Sequence, residues 1–283
     1  MVRLPMATAR VGLRVAVLMT VAAATVGYTE LMNAEMLGRD AVLAHLNDAA
    51  AGAAVTVVRE VDSTNARLLA RGRHAEVCIA EVQTAGRGRL GRAWHAAAGS
   101  SVLLSLAWKF APAAALSGLS LAAAVGVCRA LESLGVTEVG VKWPNDLVAA
   151  GRGKVGGILV QSRAMGGGVL AVVGVGVNVS FGGAESGHGG VDLAALGCKV
   201  DRNRLAAAVV NEWCTVFAEF AAQGFGAFRD GWLARHVYAG AAVVTADGRR
   251  GRIKTVDATG ALVVDDDGGG FTVSGGEVRL VES

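Results

Sequence analysis

The chain has 283 residues, 53% of them hydrophobic and 18% charged, with a formal net charge of +3. That length allows one or two domains around a sizeable core, and so apolar a composition excludes an intrinsically disordered chain. The charge is too small to imply nucleic acid by itself, and the stretch from Ala241 onward, with five Lys/Arg against seven Asp/Glu, carries no basic tail.

At the N-terminus, Arg3, Arg10 and Arg14 precede 15 uncharged residues, Val15 to Thr29, which resembles the n-region and h-region of a signal peptide. The run is short for a spanning helix, and no small-x-small cleavage site follows. Residues 1–38 are therefore expected to be an extension outside the fold, upstream of a start at Met32 or Met36, with a real signal or anchor as the alternative. No membrane association is expected otherwise, and a cytoplasmic location is.

Residues 39–238 read as one large unit mixing helices and strands. Val42, Leu43 and Leu46 suit a short helix between Arg39 and Ala51, and Val55 to Val61 is rich in β-formers. Asp62-Ser63-Thr64-Asn65 offers a cap for a helix beginning at Ala66. A strand over Val77 to Gln83 runs into Gly86-Arg87-Gly88-Arg89-Leu90-Gly91-Arg92, and Val102 to Trp108 resumes β structure. Leu116 to Leu134, rich in Ala and Leu, is the longest helix candidate. Val139 to Lys142 and Lys154 to Ser162 read as strands either side of a polar turn, and Leu170 to Val179 as a buried strand. Gly182 to Gly190 looks like a mobile surface loop, Asp201 opens a helix through Phe220, and Gly226 to His236 forms another.

After Gly240 the pattern changes, and residues 239–283 form a second unit. Short β-runs at Ala242-Thr245, Arg252-Val256, Leu262-Val264, Phe271-Val273 and Val278-Val281 are separated by Asp-Gly, Thr-Gly and Gly-Gly turns, the grammar of a small β-barrel. Cys78, Cys128, Cys198 and Cys214 form no Cys-x-x-Cys pair and mostly lie in apolar runs, so they read as reduced thiols. The five histidines lack metal-ligand spacing, and no metal is expected to be held by direct protein ligation.

Four separated motifs carry the chemistry. Ser63, Thr64 and Asn65 place hydroxyls and an amide at a helix start, either as a plain cap or as hydrogen-bond partners for a neutral polar ligand. The Gly86 to Arg92 loop combines glycines that allow close backbone approach with arginines suited to carboxylate or phosphate, a pattern shared by anion-gripping loops and RNA-binding segments. Gln83 at its head and Trp94 at its tail can surround an acid and stack on a planar ring. Lys142-Trp143-Pro144-Asn145-Asp146 sets a cation and two polar groups on a rigid turn at a strand end, whether for phosphate and metal or as a well-made turn only. Lys154, beside Gly156 and Gly157, enters an apolar strand, where an unpaired ammonium is costly and an anionic substrate group would serve as its partner. Strand ends are where open α/β sheets bind ligands. No Gly-x-x-x-x-Gly-Lys-Ser/Thr and no Gly-x-Ser-x-Gly occurs, which leaves electrostatic catalysis of an in-line attack as the natural class.

These residues, in the order Ser63-Thr64-Asn65, Gln83 through Trp94, Lys142 through Asp146, Lys154-Val155-Gly156-Gly157 and Gly174-Val175-Gly176-Val177-Asn178, resemble the biotin protein ligases from about Val55 to the C-terminus. The resemblance implies an α+β fold: a mixed sheet flanked by helices, like class II aminoacyl-tRNA synthetases, followed by an SH3-like barrel. It implies ATP, biotin and Mg²⁺ as ligands, with a biotin carboxyl carrier domain of acyl-CoA carboxylases as acceptor. Ser63, Thr64 and Gln83, with Asn65 beside them, would hold the ureido end of biotin. Gly86, Arg87, Gly88, Arg89 and Arg92 would fold over the adenylate, with Trp94 near the adenine. Lys154 would meet the biotin carboxylate and bridging phosphate oxygen. Lys142, Asn145 and Asp146 would position ATP, Gly156 and Gly157 would line the site, and Asn178 would face the nucleotide. Arg89, Lys154 and Asp146 would be the catalytic set.

The residues before Val55 lack a paired-helix pattern with a basic recognition face, so a ligase without a DNA-binding domain is expected, as a monomer or weak homodimer. A lipoate or octanoyl ligase shares the fold and the adenylate logic. A DNA-binding repressor of biotin genes and an RNA-binding module are the readings from another class.

Overall fold

The computed structural model describes residues 36–111, 115–182, 190–266 and 268–281. The signal-like run and the helix-turn-helix question fall on residues 1–35, and most of the expected loop at Gly182 to Gly190 falls on 183–189, all outside the described residues.

A seven-stranded mixed sheet organises the large unit, in the order β1 (Ala54–Val61), β2 (Glu76–Gln83), β3 (Ser101–Phe110), β7 (Gly168–Asn178), β6 (Gly153–Met165), β5 (Asp146–Ala149), β4 (Val139–Lys142). Only the β1–β2 pair is parallel. The strands are apolar because both faces are covered. On one face lie α3 (Leu119–Ser133) and α4 (Arg202–Gln223), stitched by Trp213, whose indole donates to the Ala123 carbonyl at 3.0 Å. On the other lies α2 (Thr64–Arg71), whose Leu68 joins Cys78, Ala107, Leu170 and Val172 in a smaller core.

Sequence reasoning named the elements more surely than their ends. Among the described residues the longest helix is α4, not the one expected at Leu116 to Leu134, which starts at Leu119 because Gly118, at φ 78°, cannot lie inside a helix. α4 is apolar and long enough to cross a membrane by composition, and that apolar surface is used in the core. The helix expected at Gly226 to His236 is a 3₁₀ turn, Phe225–Phe228, running into α5 (Arg229–Leu233). The segment expected between Arg39 and Ala51 divides into α1 (Arg39–Leu43) and a 3₁₀ turn, Asp48–Ala50. The polar turn expected after Lys142 contains a strand of its own, β5, antiparallel to both β4 and β6.

Met36 to Gly38, assigned by sequence to the extension, dock on the fold. The Leu37 N–H donates to Glu81 Oε1 at 2.8 Å, the Gly38 N–H to Asn203 Oδ1 at 2.8 Å, and Asn203 Nδ2 to the Met36 carbonyl at 3.3 Å. Glu81 forms a two-pronged ion pair with Arg202 at 2.7 and 3.0 Å, with side chains only 7% and 5% exposed. Burial raises the Glu81 carboxyl, but the Arg202 hydrogen bonds, the Leu37 and Gly99 N–H groups and the Arg202 charge outweigh it and leave the carboxyl below its ordinary pKa.

The second unit is a five-stranded antiparallel sheet, in the order β11 (Phe271–Val273), β10 (Leu262–Asp265), β9 (Arg250–Val256), β8 (Ala242–Thr245), β12 (Val278–Leu280), as an SH3-like barrel requires. It packs against the large unit through polar links. The Trp143 indole donates to the Gly260 carbonyl at 3.1 Å, and Arg229 Nε to the Val256 carbonyl at 2.7 Å. Cys78, Cys128 and Cys214 are free and buried; burial pushes their pKa up to about 11, 12 and 11, so they pack as neutral thiols.

Candidate active site

A cavity of about 1160 Å³ opens at one end of the sheet, where α2 begins and β6 and β7 present glycines. Its floor is flat because side chains are missing. A Cβ on Gly157 would lie 3.4 Å from one Trp94 ring carbon, and one on Gly176 would lie 2.5 Å from two others. Trp94 thus rests on β7, with the Lys154 ammonium 5.6 Å from its ring centroid and its own indole N–H buried without a partner.

One wall is the start of α2. Ser63 caps the helix by accepting from the Ala66 N–H at 3.4 Å, so the cap and the site are the same residues. Thr64 donates its backbone N–H to Gln83 Oε1 at 2.8 Å, and Asn65 donates through Nδ2 to Gln161 Oε1 at 2.9 Å and to the Leu159 carbonyl at 3.3 Å. Ser105, fully buried behind them on β3, lies 2.6 Å from both Thr64 Oγ1 and Asn65 Oδ1.

The opposite wall holds the cations. Lys154 Nζ lies 2.6 Å from Asp146 Oδ1, with side chains 39% and 23% exposed. The anionic partner expected from a substrate is therefore supplied by the protein, because β5 and β6 run antiparallel and bring the two motifs together. Asn145 closes the same turn, donating to the Ile158 carbonyl at 2.8 Å while Ile158 N–H donates back to its carbonyl at 2.9 Å. Lys142 Nζ sits 5.8 Å from the Tyr238 ring centroid. Asn178 spends its amide on the Lys154 and Val191 carbonyls at 3.4 and 3.3 Å, so it braces β7 against the neighbouring segments while lining the cavity.

The arginine loop arches over this space. It closes on itself through Trp94 N–H to the Gly86 carbonyl at 2.9 Å and Gly88 N–H to the Arg92 carbonyl at 2.7 Å. Arg89 bridges the two units, donating to Asn145 Oδ1 at 3.2 Å and to the Gly276 carbonyl at 3.1 Å. Arg92 forms a two-pronged pair with Glu277 at 2.7 Å to each oxygen. Leu90 at the tip is 71% exposed with φ 56°, an unfavourable backbone for a leucine.

Fifteen of the expected residues line one cavity; Gly86 and Gly156 do not, the first because it sits at the loop's closing bond and the second because it packs against β7. Sequence reasoning missed Ser105, Leu103 and Phe181, and also Glu277, Val278 and Arg279, which the small barrel contributes. Ser105 left no signal inside an apolar strand. Glu277 follows two glycines near the C-terminus, and nothing local connects it to a loop 185 residues away.

The model of the Biotin/lipoate A/B protein ligase family matches residues 57–178, which include every one of these motifs except the barrel contacts. The Bifunctional ligase/repressor BirA of Escherichia coli is 34% identical over 90% of this chain and 81% of its own length. The Biotin--[acetyl-CoA-carboxylase] ligase of Paracoccus denitrificans is 32% identical over 78% of this chain and 98% of its own. The same fold is found in the biotin protein ligase from Aquifex aeolicus solved with biotin and ATP, with a TM-score of 0.69 and 24% identity over 81% of this chain and 99% of that one. With its sheet, its barrel and its five ordered motifs in place, the chain belongs to the biotin protein ligases of the Biotin/lipoate A/B protein ligase family.

Proposed function

We infer that this protein joins biotin to a carrier-protein lysine at the expense of ATP, through biotinyl-5′-adenylate. The observation that carries the reading is the polarity of the cavity: a wall of hydroxyls and amides faces a wall of Lys154, Lys142 and the loop arginines, across a floor cleared by glycines. A molecule with a neutral hydrogen-bonding head and a carboxylate tail fits that polarity, with its tail toward Lys154. The bifunctional and carboxylase-specific ligases among the relatives support the same chemistry.

In the first step the biotin carboxylate attacks the α-phosphorus of ATP and pyrophosphate leaves. Lys154 holds the attacking carboxylate and offsets charge on the bridging oxygen; it is available once Asp146 releases it, because an exposed ion pair is held weakly. Asn145, fixed by its two backbone bonds to Ile158, gives Arg89 a rigid partner, and Arg89 with Arg87 offsets phosphate charge. Were Mg²⁺ bound with ATP, Asp146 would be the carboxylate of this wall suited to hold it, and the ion would supply charge neutralisation at the phosphates. In the second step the acceptor amine attacks the mixed anhydride and AMP leaves. The loop, closed on itself and held to the barrel by Arg89 and Arg92, keeps the adenylate from water until then. We assign the acceptor to a biotin carboxyl carrier domain of an acyl-CoA carboxylase and the location to the cytoplasm, where ATP and that acceptor are found together.

Incubating the purified protein with a carboxylase carrier domain, biotin and Mg-ATP tests the reading. One biotin per carrier, lost when the acceptor lysine is replaced, supports it; lipoyl or octanoyl transfer without biotin transfer would overturn it.

A further inference from the structure

We propose that Tyr238 is a positioning residue for ATP: its ring holds the Lys142 ammonium at the cavity and keeps that charge from being neutralised by the protein itself. Lys142 ends β4 directly opposite Asp146 on β5, a cross-strand pair whose side chains share one face of the sheet. That register invites an ion pair between them. The Asp146 carboxylate turns instead to Lys154 at 2.6 Å, and the Lys142 ammonium lies 5.8 Å from the Tyr238 ring centroid. Among the described residues Lys142 forms no ion pair, whereas Lys154 and Arg92 on the same cavity are each matched with a carboxylate. A ring face attracts a cation through its quadrupole and carries no net charge. It therefore orients Lys142 and leaves the full positive charge for an incoming anion.

Main-chain contacts on both sides place Tyr238. The segment after α5 lies along the outer edge of β4, with the Val141 N–H donating to the Arg235 carbonyl at 2.9 Å and the Val237 N–H to the Val141 carbonyl at 3.2 Å. A Cβ on Gly140 would lie 2.5 Å from that Arg235 oxygen, so a glycine there permits the approach. Beyond Tyr238, the Gly240 N–H donates to the Ile253 carbonyl on β9 at 2.9 Å, and Arg252 donates to the Gly240 carbonyl at 3.1 Å. Tyr238 is thus gripped between β4 and the barrel, half-buried against the large core and outside the cavity lining. Among the described residues its hydroxyl makes no hydrogen bond, which leaves the ring as its contribution to Lys142. The inference rests on the biotin ligase reading, in which Lys142 meets the phosphates of ATP; it adds that the segment leading into the barrel sets where this lysine stands.

The experiment is biotin-dependent pyrophosphate release by the full chain, titrated with ATP and, separately, with biotin. Tyr238→Leu should raise the KM for ATP on the order of fivefold and leave the KM for biotin unchanged. Tyr238→Phe, which keeps the ring, should match the wild type. In a Lys142→Ala background, Tyr238→Leu should have no further effect on the KM for ATP. An equal loss with and without Lys142 would show that Tyr238 acts through packing alone, which overturns the inference. Should Tyr238→Leu fail to fold, a series of ring-fluorinated phenylalanines at that position decides, because fluorine drains charge from the ring face with little change of shape: the KM for ATP should climb with each fluorine, and a flat series refutes the role of the ring. A wild type that releases no biotin-dependent pyrophosphate overturns the functional reading itself, whereas an active wild type whose KM for ATP ignores the ring overturns this inference alone.

Discussion

Replacing Gly176 by alanine tests the packing on which the site depends. The added methyl would lie 2.5 Å from two Trp94 ring carbons and 2.7 Å from the ring nitrogen. Ordinary carbon–carbon contact is about 3.5–4.0 Å, so the indole must rise by about 1 Å or more. It cannot rise alone: the Trp94 backbone N–H is bonded to the Gly86 carbonyl, the closing bond of the arginine loop, and the Lys154 ammonium lies over the ring. Overpacking of this kind costs about 1–3 kcal/mol, or roughly 2–4 °C of Tm for each kcal/mol in a unit of this size. The kinetic loss should be larger, because a displacement of about 1 Å in positioning groups costs on the order of 100-fold. Biotin-dependent pyrophosphate release is the assay, with Gly166→Ala as the control, since nothing lies within 4 Å of a Cβ there. We expect Gly176→Ala to lose on the order of 100-fold in kcat/KM and the control to match the wild type. Full activity and unchanged Tm in Gly176→Ala would show that Trp94 does not occupy that floor when the enzyme works.

Other expected outcomes follow from the same contacts. Arg89→Gly removes the loop's bonds to Asn145 and the Gly276 carbonyl; with about 1.5–3 kcal/mol for charge-assisted bonds, adenylate release should speed up roughly 10- to 100-fold, and unrelated lysines should become labelled. An unchanged off-rate would remove the loop from the mechanism. Arg202→Met leaves the Glu81 charge buried and should cost about 3–5 kcal/mol in urea unfolding. A loss below 1 kcal/mol, on the scale of a surface pair, would contradict that. His236, stacked on Trp232 with its Nε2 unpartnered, has its pKa lowered to about 4 by burial. Its neutral form is favoured by folding, so this stability is complete above the ordinary histidine pKa of about 6.5 and is lost as pH falls toward 4. Between pH 7 and 5 the loss should be about 2 kcal/mol, and His236→Phe should abolish that part of the slope; an identical slope in the variant would assign it elsewhere.

The strands and the binding motifs were legible because each announces itself locally: alternating or continuous apolar runs ending in glycine, a cap sequence, a lysine beside glycines. The partners of those motifs were not. Lys154 reads as a cation awaiting an anion, and only the β5–β6 register shows Asp146 facing it. β5 itself was hidden because four residues after a proline turn read as part of the turn. Glu277 and Gly276 reach the arginine loop only through the docking of the barrel, and Ser105 is an ordinary serine until its two short contacts are seen. Asn178 lines the cavity as expected, and the engagement of its amide with two backbone carbonyls depends on segments that no local pattern joins.

The most direct test of the account is a pre-steady-state burst measurement of pyrophosphate with enzyme, excess biotin and Mg-ATP and no acceptor. The account predicts a burst of about one pyrophosphate per enzyme, then a slow phase, with biotinyl-5′-adenylate retained on the protein. No biotin-dependent pyrophosphate, with biotin and ATP both present in excess, would contradict it.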